Sequence, residues 1–130
     1  MRHLSKGRKA HLRLGLYGEE TAVKLLKYKG YHILARNFRL KSGELDIVAL
    51  DGTTIVFVEV KTRRQSRFTP GTNLSFRPLK RNCAAGKLYL ALFGIPDAQS
   101  RYDLVEVTVD RKKHRRIVKL THSLDILGRP

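Results

Sequence analysis

This 130-residue chain has one cysteine, no tryptophan, few acidic side chains and no long apolar run. Its single cysteine, Cys83, cannot close an internal disulfide and falls in an expected amphipathic helix, which fits the reduced interior of the cytoplasm and argues against a catalytic thiol. The longest apolar run, Leu88 to Ile95, is far shorter than the roughly 20 residues that span a bilayer, so no membrane segment is expected. No apolar block follows the basic N-terminus, so no export signal is expected either. His3, His11, His32, His114 and His122 are scattered without ligand spacing, which excludes a zinc site of the usual kind. There is no glycine-rich phosphate loop of the nucleotide-hydrolase type, no internal repeat and no interdomain linker.

What is present in excess is positive charge. Lys and Arg number 27 against 11 Asp and Glu, a net of +16, and 42% of residues are hydrophobic. That composition fits one self-supporting domain over residues 1–130, with 1–10 as a flexible basic arm, and a surface that draws in polyanions. A transit-peptide reading of the same basic N-terminus is open as well. Nucleic acid, DNA first, is the expected partner, no membrane is expected, and the competing reading is a solvated basic surface such as ribosome-associated proteins carry.

Apolar residues at helical spacing run from His11 to Lys29, with Leu12, Leu16, Val23 and Leu26 on one stripe, Glu19 in the middle of it and Gly30 as the stop. Tyr31 to Phe38 reads as a strand, Glu44 to Leu50 as a second and Thr54 to Lys61 as a third, joined by turns at Lys41-Ser42-Gly43 and Asp51-Gly52. A second helix is expected from Pro78 to Phe93, its inward stripe Leu79, Cys83, Gly86, Leu90 and Phe93. Arg101 to Val109 and Ile117 to Leu120 read as strands around a basic turn, 110–116, and the end from Thr121 as a last helical turn. Strands interleaved with helices make this an α/β chain.

The chemistry concentrates around Ile55-Val56-Phe57-Val58-Glu59-Val60-Lys61 and, thirteen residues before Glu59, Asp46. With an even hairpin loop, opposed residues have indices of odd sum, so Asp46 shares a face with Phe57, Glu59 and Lys61. Mg²⁺ or Mn²⁺ takes oxygen ligands and needs only one or two protein carboxylates beside substrate phosphate, a role that fits Asp46 and Glu59. Glu19 from the first helix is the third candidate, and Lys61 the cation that orients water or offsets charge at phosphorus. Ordinary cross-strand ion pairs are the bland alternative, and Glu44, two residues from Asp46, is its rival as ligand. Asp103 beside Arg101 reads as an ion-pair partner. Arg63, Arg64, Arg67, Arg77, Lys80 and Arg81 are the expected phosphate contacts, with residues 111–116 extending the track.

Gly18-Glu19-Glu20-Thr21-Ala22, Gly30-Tyr31-His32-Ile33-Leu34, Gly43-Glu44-Leu45-Asp46-Ile47-Val48-Ala49, Val56-Phe57-Val58-Glu59-Val60-Lys61-Thr62-Arg63 and Arg101-Tyr102-Asp103-Leu104-Val105 together resemble the YraN family. The resemblance covers most of the chain from Gly15 to Val109. It implies a restriction-endonuclease-like fold, a central mixed β-sheet flanked by α-helices, similar to archaeal Holliday-junction resolvases. By position it puts Glu19, Asp46, Glu59 and Lys61 on the catalytic set of a PD-(D/E)xK nuclease, with Leu45 where that pattern often has proline. The implied function is metal-dependent hydrolysis of DNA phosphodiesters, on branched or structured DNA. A homodimer is implied if the substrate is a junction, because two sites must then face paired strands. A binding module that keeps the fold without turnover is the alternative from another class, and an RNA-directed protein the third.

Overall fold

The computed structural model describes residues 6–65, 77–113 and 115–127, without the side chains of residues 6, 8, 11 and 77–82. In chain order the elements are α1 (Lys6–Tyr28), β1 (His32–Leu40), β2 (Gly43–Asp51), β3 (Thr54–Arg64), α2 (Arg77–Leu92), β4 (Ser100–Val109) and β5 (Ile117–Ser123). The strands form one mixed sheet in the order β1-β2-β3-β4-β5; β3 and β4 are parallel and every other pair is antiparallel. The fold is thus α/β with a five-stranded mixed sheet and two helices, the restriction-endonuclease-like arrangement.

Alternation along β3 assigns the helices to opposite faces. Val56 and Val58 pack with Ala22, Val23 and Leu26 of α1, whereas Ile55 and Phe57 pack with Ala85, Tyr89 and Leu90 of α2. Covered on both sides, residues 55 to 59 are all buried, which is why this segment is apolar without a break until Glu59. The hairpin between β2 and β3 pairs Asp51 with Thr54, a two-residue loop in which Gly52 takes the left-handed conformation at φ 59°. The expected even loop and odd-sum register are therefore observed.

The buried face of α1 departs from expectation. Leu12 and Leu16 are both 56% exposed, and the inner face is instead Gly18, Ala22, Val23 and Leu26. The reason is steric: a Cβ on Gly18 would overlap the Thr62 hydroxyl, so the helix meets β3 along its smallest residues and tilts the leucines outward. α1 also begins at Lys6 rather than His11, taking in residues expected to form part of the flexible arm; Lys, Arg and Ala are good helix formers. On the other face α2 makes the same kind of close approach at Gly86, where a Cβ would overlap the Tyr102 hydroxyl, and Phe93 is 57% exposed rather than inward. The end of the chain is corrected too. Thr121 continues β5 instead of opening a helical turn, because Thr121 and His122 pair with Glu106 and Val105 of β4.

Candidate metal centre

The site is built where two strands part. Pairing between β2 and β3 ends at Ile47 with Val58; beyond it β2 pairs only with β1, through Leu45 with Phe38 and Glu44 with Arg39, while β3 follows β4 as far as Arg64 with Val109. Leu45 and Val48, three residues apart, pack in the same α2-side cluster, so the alternation of β2 breaks between them. On β1 the residue facing this break is Asn37, in the left-handed region at φ 49°, a conformation asparagine tolerates better than most. Asp46 thereby turns into the notch, where its Oδ2 accepts a hydrogen bond from the Val60 N–H at 2.9 Å, supplying the acceptor a neighbouring strand would have offered. This corrects the hairpin parity, which holds to Ile47 and fails at Asp46.

From the notch, Asp46 reaches groups on both faces of the sheet. On the α1 side a cleft of about 220 Å³ is lined by Leu14, Gly15, Glu19, Asp46, Val60, Lys61 and Thr62. On the other side Asp46 and Glu59 border a crevice of about 10 Å³, room for about one water at most. Glu59 is 7% exposed, and its Oε1 accepts from Lys61 Nζ at 3.1 Å. The structure therefore sets Asp46 between the others: it shares the cleft with Glu19 and Lys61 and the crevice with Glu59, so that Glu19 and Glu59 approach it from opposite faces.

The electrostatics of the notch are unfavourable to its own carboxylates. Burial pushes the Asp46 carboxyl up to about 6; the Val60 N–H opposes the rise, and the charges of Glu19, Glu59 and Glu44 add to it. Glu19 Oε2 is buried and finds no hydrogen-bond donor among the described residues. A buried carboxylate oxygen without a donor is costly. Among the described residues no three His, Cys, Asp or Glu side chains converge as a ready cage. Mg²⁺ does not require one, since it keeps several waters and is commonly held by one or two carboxylates with substrate phosphate. An all-oxygen donor set, an unsatisfied buried carboxylate oxygen and a cleft wide enough for hydrated ligands fit such an ion.

The remaining expected residues divide. Glu44, the rival to Asp46, is exposed outside the cleft, 4.0 Å from Arg39. Arg63 is committed to Glu106 at 3.0 Å, and Glu106 also accepts from Thr121, so Arg63 is less free for phosphate than expected. Arg64 is exposed at the end of β3. The side chains of Arg67, Arg77, Lys80 and Arg81 lie outside the described residues.

A second polar cluster escaped the sequence. Asp103, fully buried, accepts from Arg101 Nε at 3.0 Å, His122 Nε2 at 2.8 Å and the Asp125 N–H at 2.9 Å. Lys29 Nζ lies 2.7 Å from His122 Nδ1, and Arg101 also donates to Asp51 and to the Tyr31 hydroxyl. The Asp103–Arg101 pair was legible at two-residue spacing. His122 was not, because only the β4–β5 register brings it there.

Fold and site together define a restriction-endonuclease-like α/β protein whose carboxylates gather where two strands diverge. Residues 18–107 match the model of the uncharacterised protein family UPF0102, the YraN family, and the chain belongs to it. It is 46% identical over 96 residues to a UPF0102 protein of Symbiobacterium thermophilum, covering 73% of this chain and 81% of that one. It is 37% identical over 115 residues to one of Geobacter sulfurreducens, covering 87% and 89%, and 36% identical over 113 residues to one of Caldanaerobacter subterraneus, covering 86% and 92%. Among the described residues no helix is long and apolar enough to cross a membrane.

Proposed function

We propose that the protein is a metal-dependent nuclease that hydrolyses DNA phosphodiester bonds, working in the cytoplasm with Mg²⁺ or Mn²⁺. The observation that carries this reading is the buried Glu19 Oε2, which has no donor among the described residues in the cleft where Asp46 is already crowded by carboxylates. Fold maintenance alone gives no reason to gather three acids at a strand fork in a chain of net charge +16. The family resemblance assigns the same residues.

Asp46, with Glu59 and Glu19, would hold the ion, which when bound supplies Lewis-acid polarisation of a phosphoryl oxygen and a more acidic water. The Val60 N–H fixes one oxygen of Asp46 and so aims the other. Lys61, half exposed and lining the cleft, keeps its ammonium beside Glu59 and next to any phosphate that enters, where it offsets the charge that builds on phosphorus. The close contact between Gly18 and Thr62 fixes the backbone of α1 one residue before Glu19. On a four-way junction, two copies related by a two-fold axis would offer one cleft to each paired strand.

The test is nicking of supercoiled plasmid and of four-way-junction DNA with Mn²⁺ or Mg²⁺. Wild-type protein should cut, and Glu59→Ala should bind but not cut. Undiminished cutting by the variant would remove Glu59 from the mechanism, and no cutting by the wild type on any DNA would leave the alternative. That alternative is a nucleic-acid-binding module that keeps the fold without turnover. Two observations favour it: Glu59 is already engaged by Lys61, and the described residues form no three-ligand cage.

A further inference from the structure

The turn between β4 and β5 carries Arg111, Lys112, Lys113, Arg115 and Arg116, all exposed, and among the described residues none of the five forms an ion pair. Like charges crowded in one turn repel, so the chain spends interactions to hold them. Asp110 Oδ1 accepts from the N–H groups of Lys112 at 2.7 Å and Lys113 at 3.0 Å, and those bonds hold its carboxyl below the usual range. The Asp110 N–H donates to Arg116 O at 2.7 Å, and the Arg116 N–H to Lys113 O at 3.1 Å. The turn is also fastened to α1, where the Tyr17 hydroxyl donates to Arg115 O at 2.8 Å. Five exposed cations against the one carboxylate of Asp110 leave the described residues of this turn strongly net positive.

Its position relative to the cleft gives the array a use. The turn follows Val109, which pairs with Arg64, so it lies at the same end of the sheet as Lys61 and Thr62. At 100° per residue, Tyr17 and Glu19 lie on opposite flanks of α1, Glu19 towards β2 and Tyr17 towards the β4–β5 turn. The exposed face between them carries Lys9, Arg13 and Lys24 with the one acid Glu20 among them, so a net positive ridge separates cleft from turn. A helix with side chains is roughly 10 Å across, comparable with the roughly 12 Å major groove of B-DNA. A single strand lying in the cleft has no second backbone with which to reach the turn. A duplex straddling α1 does.

We propose that the β4–β5 turn, with the N-terminal half of α1, grips the second strand of duplex DNA whose other strand enters the Glu19–Asp46 cleft. This rests on the reading of the cleft as the place where a phosphodiester is cut. The surface therefore selects double-stranded over single-stranded DNA and reads no base sequence, because phosphate contacts position without specifying.

The experiment measures affinity by fluorescence anisotropy for a labelled 20-base-pair DNA duplex and for one of its single strands, in EDTA so that no cutting occurs. R111Q/K112Q/K113Q should weaken duplex binding at least about tenfold and lower the salt slope by about three units, since each phosphate contact contributes about 0.9. Single-strand affinity should change less than about threefold, a loss too small for three phosphate contacts. R36Q/K27Q/K87Q removes the same charge from exposed positions elsewhere and should leave the duplex preference intact. Equal losses for duplex and single strand, or equal losses from the two triple variants, would overturn the proposal, as would tighter binding of a matched RNA duplex at the same salt. Because no metal is present, the two readings fail separately. A protein that cuts while its turn variant keeps full duplex affinity sinks this inference alone. One that grips the duplex as described and never cuts sinks the nuclease reading alone.

Discussion

Two carboxylates of one sheet, on β2 and β4 either side of β3, have opposite fates. Asp103 is fully buried yet saturated by Arg101, His122 and the Asp125 N–H, and those donors outweigh burial and hold its carboxyl below the usual range. Asp46 is less buried, has one donor among the described residues, the Val60 N–H, and lies near Glu19 and Glu59, and it is pushed up to about 6. The chain can satisfy a buried acid, as it does at Asp103, with donors from β4, from β5 and from the segment that follows it. At Asp46 it brings further acids instead. The first cluster ties β2, β4, β5 and the end of α1 together; the second stores an unmet demand for positive charge.

Removing each acid should separate the two. Asp103→Ala leaves the Arg101 guanidinium buried against a vacated site and should cost about 3–5 kcal/mol in chemical denaturation. A loss below about 1 kcal/mol would mean that the cluster is ornamental. Gly18→Val tests the seam beside the cleft. Its side chain must displace Thr62, so a loss of about 1–3 kcal/mol is expected by the same assay, together with weakened Mn²⁺ binding as Glu19 moves. Asp46→Asn should go the other way. It keeps an acceptor for the Val60 N–H and removes a charge, stabilising the metal-free protein at pH 8 by about 1–2 kcal/mol, discounted for partial exposure.

The pH dependence gives the sign independently. The native state holds the Asp46 proton more tightly than the unfolded chain, so the stability from its neutral form is full below about pH 4 and lost as pH rises through about 6. The gain from Asp46→Asn should therefore vanish at pH 4 and be complete by pH 8. Asp103 behaves in reverse: its contribution is present at neutral pH and lost only as pH falls below about 4. Smallest of the effects, Arg63→Gln should change stability by about 1 kcal/mol or less, because the pair with Glu106 is part exposed.

Much of this was legible in the chain. The apolar run into Glu59, the hairpin turn at Gly52 and the helical periods led to the strands, the two helices and to Glu19, Asp46, Glu59 and Lys61, while the mixed sheet was implied by the family resemblance. What could not be read depends on contacts between segments. Parity presumes that pairing continues, and it stops at Ile47 with Val58, so Asp46 leaves the face assigned to it. Asn37, whose residue type tolerates left-handed backbone, was the available hint. The stripe on α1 was drawn through leucines because glycine carries no hydropathy signal, yet Gly18 marks the buried side. His122 lay in a segment expected to turn, and only its pairing with Val105 carries it to Asp103.

The most direct measurement is the metal dependence of unfolding at pH 8, with Mn²⁺ added to wild-type protein and to Asp46→Asn. If the notch is held open for a cation, the wild-type melting temperature should climb by several degrees as Mn²⁺ rises past its dissociation constant, by the linkage RT ln(1 + [L]/Kd), and the variant should not respond. A wild-type melting temperature that stays flat to millimolar Mn²⁺, or that climbs equally in the variant, would contradict the account.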